Sequence, residues 1–236
     1  MTTPQHSETE ASRIREAYFR RERDIPRDRY SVFKDENLIA RQHLEKHILS
    51  LLRRHRYARL DQKKILEVGC GAGFWLRQLV QWGANPENIF GIDLLPESIR
   101  NGKRLCPSAI TLECGDATHL QFGDNAFDIV MQFTVFSSIL DQSTQDNLAC
   151  QLRRVTKPDG VILWFDFFVS NPKNLDVKGV ARRRIKQLFP GWTLDLERVI
   201  LAPPLARLIA PVSPSACRLL SAVKPLCTHY IGIIRR

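Results

Sequence analysis

Apolar residues in the middle of the chain come in short runs, and the stretches between the runs place their apolar positions at helical spacing. The runs cover 64–69, 88–93, 109–114, 128–133 and 161–168. Each is of strand length and nearly continuous rather than alternating, which is how strands covered on both faces read. The spacing predicts helices over 73–82, 96–105 and 143–156 between them. Pro96 suits a first helical position, where its fixed φ is already helical and its missing N–H costs nothing. Ser143 followed by Asp146 resembles a capping-box start, and Lys157-Pro158-Asp159-Gly160 is turn chemistry that stops the third helix. Strand and helix alternating in this order imply a parallel sheet joined by right-handed crossovers.

The pattern changes on either side. Residues 1–35 are polar and basic, with scattered aromatics at Tyr18, Phe19, Tyr30 and Phe33. Ala40, Leu44, Ile48, Leu51 and Leu52 recur at helical spacing and predict an amphipathic helix over 36–56. Residues 1–60 are therefore expected to form an N-terminal helical segment or cap, and 61–236 the main domain. Beyond 168 the pattern predicts a helix over 176–188, a strand over 192–201, a proline-broken connector over 202–228 and a last strand over 229–235. No regular helix of crossover length separates the last two strands, so the final one is expected to run antiparallel.

Charge sharpens this division. Residues 1–64 hold 16 basic against 10 acidic side chains, 65–168 hold 7 against 12, and 169–236 hold 12 against 3. The net charge of +10 thus belongs to the two ends, which favours an anionic partner over a neutral one. The six cysteines have no CxxC pair or metal spacing and read as small buried residues in a reducing compartment. No secretory signal and no uncharged run of membrane-spanning length is evident, so a cytoplasmic location is expected.

Chemistry concentrates at the ends of the apolar runs. Glu67-Val68-Gly69-Cys70-Gly71-Ala72-Gly73 follows the first run and opens a helix. Glycines there let the backbone turn tightly and lie close to a ligand. A dinucleotide fingerprint would need a small residue at position 74, where helix and strand pack closely, and Phe74 stands there. Gly91-Ile92-Asp93 closes the second run, Gly115-Asp116-Ala117 follows the third, and Phe127-Asp128-Ile129-Val130-Met131-Gln132-Phe133 forms the fourth.

In this order the four resemble the motifs of class I S-adenosylmethionine-dependent methyltransferases over about residues 64–170. The resemblance implies an α/β fold: a Rossmann-like, doubly wound, mostly parallel seven-stranded sheet with an antiparallel last strand. It implies S-adenosyl-L-methionine as cofactor, with Glu67, Gly69, Gly71, Gly73, Asp93, Leu94, Asp116, Ala117, Gln132 and Phe133 as its binding residues. Within that set Asp93 would accept both ribose hydroxyls, residues 116 and 117 would hold the adenine, and the end of the fourth strand would face the methionine part.

Methyl transfer from a sulfonium starts from an activated donor, so alignment and exclusion of water are the main demands. A base is needed only where the acceptor must lose a proton. In open α/β sheets the site lies beyond the carboxyl ends of the strands. An antiparallel last strand would bring Thr228-His229-Tyr230 to that side, with the 202–228 connector, the N-terminal segment and the loop 166–174 as a roof. His229 is the candidate general base, and Tyr18, Tyr30 and Asp166 are candidate substrate contacts. A strand-edge histidine held in a hydrogen bond is the plainer reading of His229. His119 belongs to the helix beside it. His43, His47 and His55 share one basic helix without metal spacing, and no metal is expected.

Departures from the family's subgroups narrow the acceptor. Val135-Phe136-Ser137-Ser138 stands where many small-molecule members carry a histidine. Gln132-Phe133-Thr134-Val135 is not the Pro-Pro-aromatic motif of amino-methylating nucleic-acid enzymes, and no Pro-Cys pair exists. Residues 129–158 lack the paired glutamates of arginine methyltransferases. The tail, through Leu201-Ala202-Pro203-Pro204-Leu205-Ala206-Arg207, resembles enzymes of bacterial glycan and natural-product pathways. The leading expectation is methyl transfer to an oxygen of a small-molecule or glycan acceptor. The charges also fit an anionic or lipid-linked one, reached with the apolar 199–223 stretch resting on a membrane. One alternative is an RNA methyltransferase using Arg182-Arg183-Arg184-Lys186 as a backbone footprint; another is a non-catalytic cofactor-binding partner subunit.

Overall fold

The computed structural model of the chain describes residues 4–172 and 174–236, and the side chains from residue 9 onward except that of residue 27. Seven strands form one sheet: β1 (Ile65–Val68), β2 (Ile89–Asp93), β3 (Thr111–Cys114), β4 (Phe127–Phe133), β5 (Thr156–Phe167), β6 (Thr193–Leu201) and β7 (Cys227–Arg235), in the order β3-β2-β1-β4-β5-β7-β6. β1 to β5 pair in parallel, and β7 lies antiparallel between β5 and β6. This is the mostly parallel, seven-stranded arrangement expected. Every residue of β4 is buried, which is why its sequence is apolar apart from Asp128 and Gln132.

Helices cover both faces. α2 (Asp35–Arg54), α3 (Phe74–Gln81) and α4 (Pro96–Leu105) send Ile48, Leu51, Leu76, Leu79 and Ile99 onto one core, where they meet Ile65, Ile129 and Ile231. On the other face, α5 (Gln142–Val155) and α6 (Arg182–Leu188) pack Leu148, Leu152, Ile185 and Leu188 against Leu66, Val130 and Trp164. A satellite core joins Ile39 of α2 to α7 (Pro203–Ile209) and α8 (Pro214–Ser221) through Ala206, Ala210 and Cys217.

Several expected boundaries move. The helix expected over 176–188 starts only at Arg182, because the amides of Lys178 and Val180 are taken by the carbonyls of Ser137 and Phe167 at 2.8 Å each. α5 is capped by Asp141, not Ser143: its Oδ2 accepts from the Thr144 amide at 2.7 Å and from the Ser143 hydroxyl at 2.5 Å. Residues 157–160 do not separate helix from strand. Phe127 faces Thr156 and Ile129 faces Val161, so the turn is a bulge inside β5. The connector 202–228 is two short helices whose prolines, Pro203 and Pro214, sit in the first turn where no N–H is needed.

The N-terminal 60 residues serve two purposes. α2 is a layer helix within the main core, so only α1 (Pro4–Asp24) remains as a cap. It is pinned by Glu10, which is buried and accepts from the Leu140 amide at 2.6 Å. Arg13 forks onto both Glu10 oxygens at 2.9 Å and donates to the Ser138 carbonyl at 2.5 Å. The loop after β4 and the start of α5 thus become the seat of α1.

Gly232 lets β7 squeeze between its neighbours: a Cβ there would overlap the Asp195 carbonyl oxygen of β6. Gly232→Ala should therefore cost about 1–3 kcal/mol, read as a lower denaturant midpoint. Gly123→Ala, where a Cβ would meet nothing, should leave the midpoint nearly unchanged.

Candidate functional site

Strand order reverses between β1 and β4, since β1 pairs with β2 on one side and β4 on the other. Loops leaving the carboxyl ends of these two strands part in opposite directions and open a crevice. Gly69, Gly71 and Gly73 cross its floor at φ of +69°, +54° and +72°, left-handed values that disfavour any side chain. They are needed for different reasons. A Cβ on Gly69 would overlap Val135, and one on Gly73 would overlap the Cys106 Sγ, whereas Gly71 faces open space. Bare backbone is therefore offered to the crevice at position 71.

The loop is fastened to the tip of β2. The amides of Gly69 and Cys70 both donate to the Ile92 carbonyl, at 2.8 and 3.1 Å. Asp93 Oδ2 accepts from the Gly71 amide at 2.8 Å and Oδ1 from the Leu95 amide at 2.9 Å. Burial raises the Asp93 carboxyl above its ordinary pKa, against these two bonds, which favour the charged form. Each oxygen keeps a lone pair for a ligand. At β3, Asp116 Oδ1 accepts from the amide and hydroxyl of Thr118, both at 2.8 Å, which fixes the 116–118 turn.

The tip of β4 supplies the remaining wall. Thr134 has φ +59°, a costly conformation for a β-branched residue and one that clusters at functional sites. It is held by its own amide, which donates to the Phe165 carbonyl at 2.7 Å. Gln132 accepts from the Val135 amide at 3.2 Å from beneath. Ala11, Ile14 and Tyr18 of α1 close the crevice from above, leaving a cavity of about 220 Å³.

Of the residues expected to bind cofactor, Gly69, Gly71, Asp93, Leu94, Asp116, Ala117 and Phe133 all line this one cavity, and so does Tyr18. Glu67, Gly73 and Gln132 do not. Glu67 is wholly buried, its Oε2 has no hydrogen-bond partner, and burial beside Asp93 lifts its carboxyl well above the ordinary range. Gly73 and Gln132 shape the loops from below. Sequence reasoning missed Ile14, Val135, Ser138 and Leu148. The helical spacing of Ala11, Ile14 and Tyr18 was the available signal for the first of these.

Three acceptor-side expectations change. Asp166 is buried, 1% exposed, and is not among the lining residues of the cleft; its Oδ2 accepts from the Ser137 amide at 3.1 Å and its Oδ1 from the Phe167 amide at 2.9 Å. It supports the loop after β4. His229 lies on the expected side of the sheet but stacks on Phe165 at 5.1 Å, and Phe165 in turn meets Phe133 at 5.7 Å. One aromatic ring thus stands between His229 and the cleft, and burial pushes the imidazole down to about 4. The connector 202–228 gives nothing to the cleft either, because it packs on α2 and β6. Tyr30 and Arg207 instead line a second basin, of about 590 Å³, that meets the cleft at Ile14, Tyr18 and Ser138. Among the described residues no cluster of three His, Cys, Asp or Glu side chains could hold a metal, and no helix is long and apolar enough to cross a membrane.

Residues 65–160 match the family model described as a methyltransferase domain. The chain is 29% identical over 143 residues to the biotin biosynthesis bifunctional protein BioHC of Cellvibrio japonicus, covering 60% of this chain and 23% of that one. It is 26% identical over 157 residues to the ubiquinone biosynthesis O-methyltransferase of Neisseria meningitidis, covering 64% and 63%. The crystal structure of an S-adenosylmethionine-dependent methyltransferase from Mesorhizobium loti superposes with a TM-score of 0.59 at 14% identity, over 78% of this chain and 95% of that one. The chain has the fold of the S-adenosylmethionine-dependent methyltransferases, and its residues 65–160 match their methyltransferase-domain model. It spans less than two thirds of the length of these curated relatives.

The residues of this cleft fit S-adenosylmethionine, the cofactor of the structural relative from Mesorhizobium loti. An anchored carboxylate stands at the tip of β2, side-chain-free backbone at Gly71, and apolar walls at Ile92, Val135 and Leu148. A nucleoside needs this combination: acceptors for its hydroxyls and flat apolar surface for its base.

Asp166 gives a pH signature for the loop beside that cleft. Burial raises its carboxyl from 3.8 to about 7, so the folded state holds a proton that the unfolded chain has released. Its contribution to stability is complete below about pH 4 and is lost as pH rises through about 7. Carboxyl-carbon NMR should show Asp166 titrating near neutrality, and unfolding midpoints should fall between pH 5 and 8 less steeply in Asp166→Asn. Titration near pH 4 would contradict this.

Proposed function

We propose that this protein transfers a methyl group from S-adenosylmethionine to an oxygen of a small-molecule or glycan acceptor. The reading rests above all on one observation: the tips of β1, β2, β3 and β4 line a single cavity. When bound, S-adenosylmethionine supplies a methyl group already activated by its sulfonium charge. Asp93, held rigid by two backbone amides, accepts from the ribose hydroxyls in the charge-assisted geometry that makes such bonds strong. Gly71 lets the backbone lie against the ligand, and the 116–118 turn with Ala117 borders the base. Phe133 and Thr134 face the methionine end.

Ala11, Ile14 and Tyr18 exclude water, which strengthens every polar contact inside. Among the described residues lining the cleft there is no histidine and no unanchored carboxylate. As an acceptor hydroxyl oxygen takes the methyl group and the sulfur keeps the electron pair of the broken bond, the hydroxyl proton would pass to solvent at the Tyr18 and Ser138 end, and holding nucleophile, methyl carbon and sulfur in line would supply the rate. The hydroxyls of Tyr18 and Ser138, 3.4 Å apart, are the polar groups where the cleft opens outward.

The O-methyltransferase among the curated relatives supports oxygen as the target. The RNA reading is weakened because Arg184 is spent on α5: it pairs with Asp146 at 2.9 Å and donates to Gln145 at 3.0 Å. Arg182 donates to the Leu194 carbonyl at 3.3 Å.

Asp93→Ala should weaken S-adenosylhomocysteine binding by about 2 kcal/mol or more, measured by calorimetry; unchanged affinity would reject the cofactor assignment. His229→Ala should keep most of the turnover, and a loss of about a hundredfold would restore it as the base. The acceptor is reached by a radiolabelled-methyl assay over cell extract divided into RNA, protein, lipid, glycan and small-metabolite fractions. Label in the RNA fraction alone would overturn the small-molecule or glycan reading. Cofactor binding without label in any fraction would favour a non-catalytic subunit.

A further inference from the structure

The second basin carries charge that the cofactor does not use. Among the described residues Arg20, Arg21, Arg29 and Arg207 line it, with Asp24 and Asp176 as the acidic side chains. Both carboxylates are already satisfied: Asp176 pairs with Arg20 at 2.9 Å, and Asp24 accepts from Arg23 at 2.6 Å. Arg21 is oriented by aromatic rings. It donates to the Tyr30 hydroxyl at 2.9 Å, and its guanidinium lies 5.1 Å from the Tyr30 ring and 5.9 Å from the Tyr18 ring. The guanidinium groups of Arg29 and Arg207 make no hydrogen bond or salt bridge among the described residues, although the charge of Arg29 is felt by Asp28 beside it, and both side chains border the same concavity. They come from opposite ends of the chain, from the 3₁₀ turn Arg27–Tyr30 and from α7.

We propose that this basin is the acceptor site and that it selects an acceptor bearing an anionic group, a carboxylate or a phosphate, which Arg29 and Arg207 hold. The proposal deepens the methyl-transfer reading and rests on it for the word acceptor, though not for the binding of the anion. Guanidinium groups not hydrogen-bonded to a carboxylate keep their donors for an incoming anion, and they match the oxygens of carboxylate and phosphate two at a time. The basin adjoins the cofactor cleft, the two sharing Ile14, Tyr18 and Ser138 as lining residues. An acceptor anchored by its charge at the arginines would therefore extend its neutral end toward the methyl group. The ion-paired Arg20 and Asp176 join α1 to the 171–177 loop and keep the basin walled. The same geometry gives the tail its part in the site: α7 brings a single side chain, Arg207, rather than a roof.

The test uses the full chain and two probes, inorganic phosphate and malonate, titrated by calorimetry with and without S-adenosylhomocysteine. At least one anion should bind, and Arg29→Ala/Arg207→Ala should weaken it about tenfold or more while leaving S-adenosylhomocysteine affinity within about twofold. Both arginines are exposed, so the double variant should keep the wild-type circular dichroism and melting midpoint. Preference for phosphate over malonate would assign a phosphorylated acceptor, and the reverse a carboxylate. Asp93→Ala should lose S-adenosylhomocysteine and keep the anion, which separates failure of the cofactor reading from failure of this one. If neither anion binds the wild-type protein, or the double variant binds as tightly as the parent, the proposal is overturned.

Discussion

The site depends on how one glycine loop is tied to one strand. β1 ends, the chain turns through three left-handed glycines, and the amides exposed by that turn are taken by the Ile92 carbonyl and the Asp93 carboxylate. A carboxylate that accepts backbone amides on both oxygens has its position fixed and its desolvation partly offset. The same bonds that aim Asp93 into the crevice therefore keep the loop out of it. Val135 against Gly69 and Cys106 against Gly73 complete the arrangement, since each occupies the space a side chain on the glycine would need.

A second set of contacts turns an open crevice into an enclosed cavity. α1 is polar over most of its surface, and its burial rests on few residues: Ala11, Ala17 and the ion-paired Glu10. Glu10 bonds the amide of Leu140 just ahead of α5, and Arg13 bonds the Ser138 carbonyl. The helix is thus seated by polar bonds to a loop that the buried Asp166 supports from below. Helices held by few apolar contacts open more readily than a core does. That suits an element standing between solvent and a ligand cavity.

The charge asymmetry along the chain acquires a location. The acidic middle holds the carboxylates that anchor loops and cap helices, Asp93, Asp116, Asp141 and Asp166 among them. Part of the surplus positive charge of the two ends gathers beside the mouth of the cleft, where α1, the 3₁₀ turn and α7 meet. The arginines of α6, by contrast, are largely used up in fastening that helix to its neighbours.

The central half of the fold was legible because most of its strands are buried and its loops demand particular residues. Short apolar runs alternating with helical spacing mark the strands of a parallel sheet, and glycine or aspartate at their ends carries backbone requirements that other residues meet poorly. That was enough to define the strand tips, Asp93 and the antiparallel last strand. What lay beyond it depended on contacts between distant segments. Whether His229 reaches the cleft is decided by Phe165, one strand away. Whether 176–181 is helical is decided by carbonyls at Ser137 and Phe167. The proline-rich tail looked like a roof, yet Ile39 of α2 draws its two helices to the side of the sheet, and only Arg207 reaches the basin. Local pattern determined the elements, and the motifs at their ends pointed through a family resemblance to residues expected on the cofactor side; long-range packing alone decided which side chains share a cavity, because burial is a property of the assembled surfaces and not of any one segment.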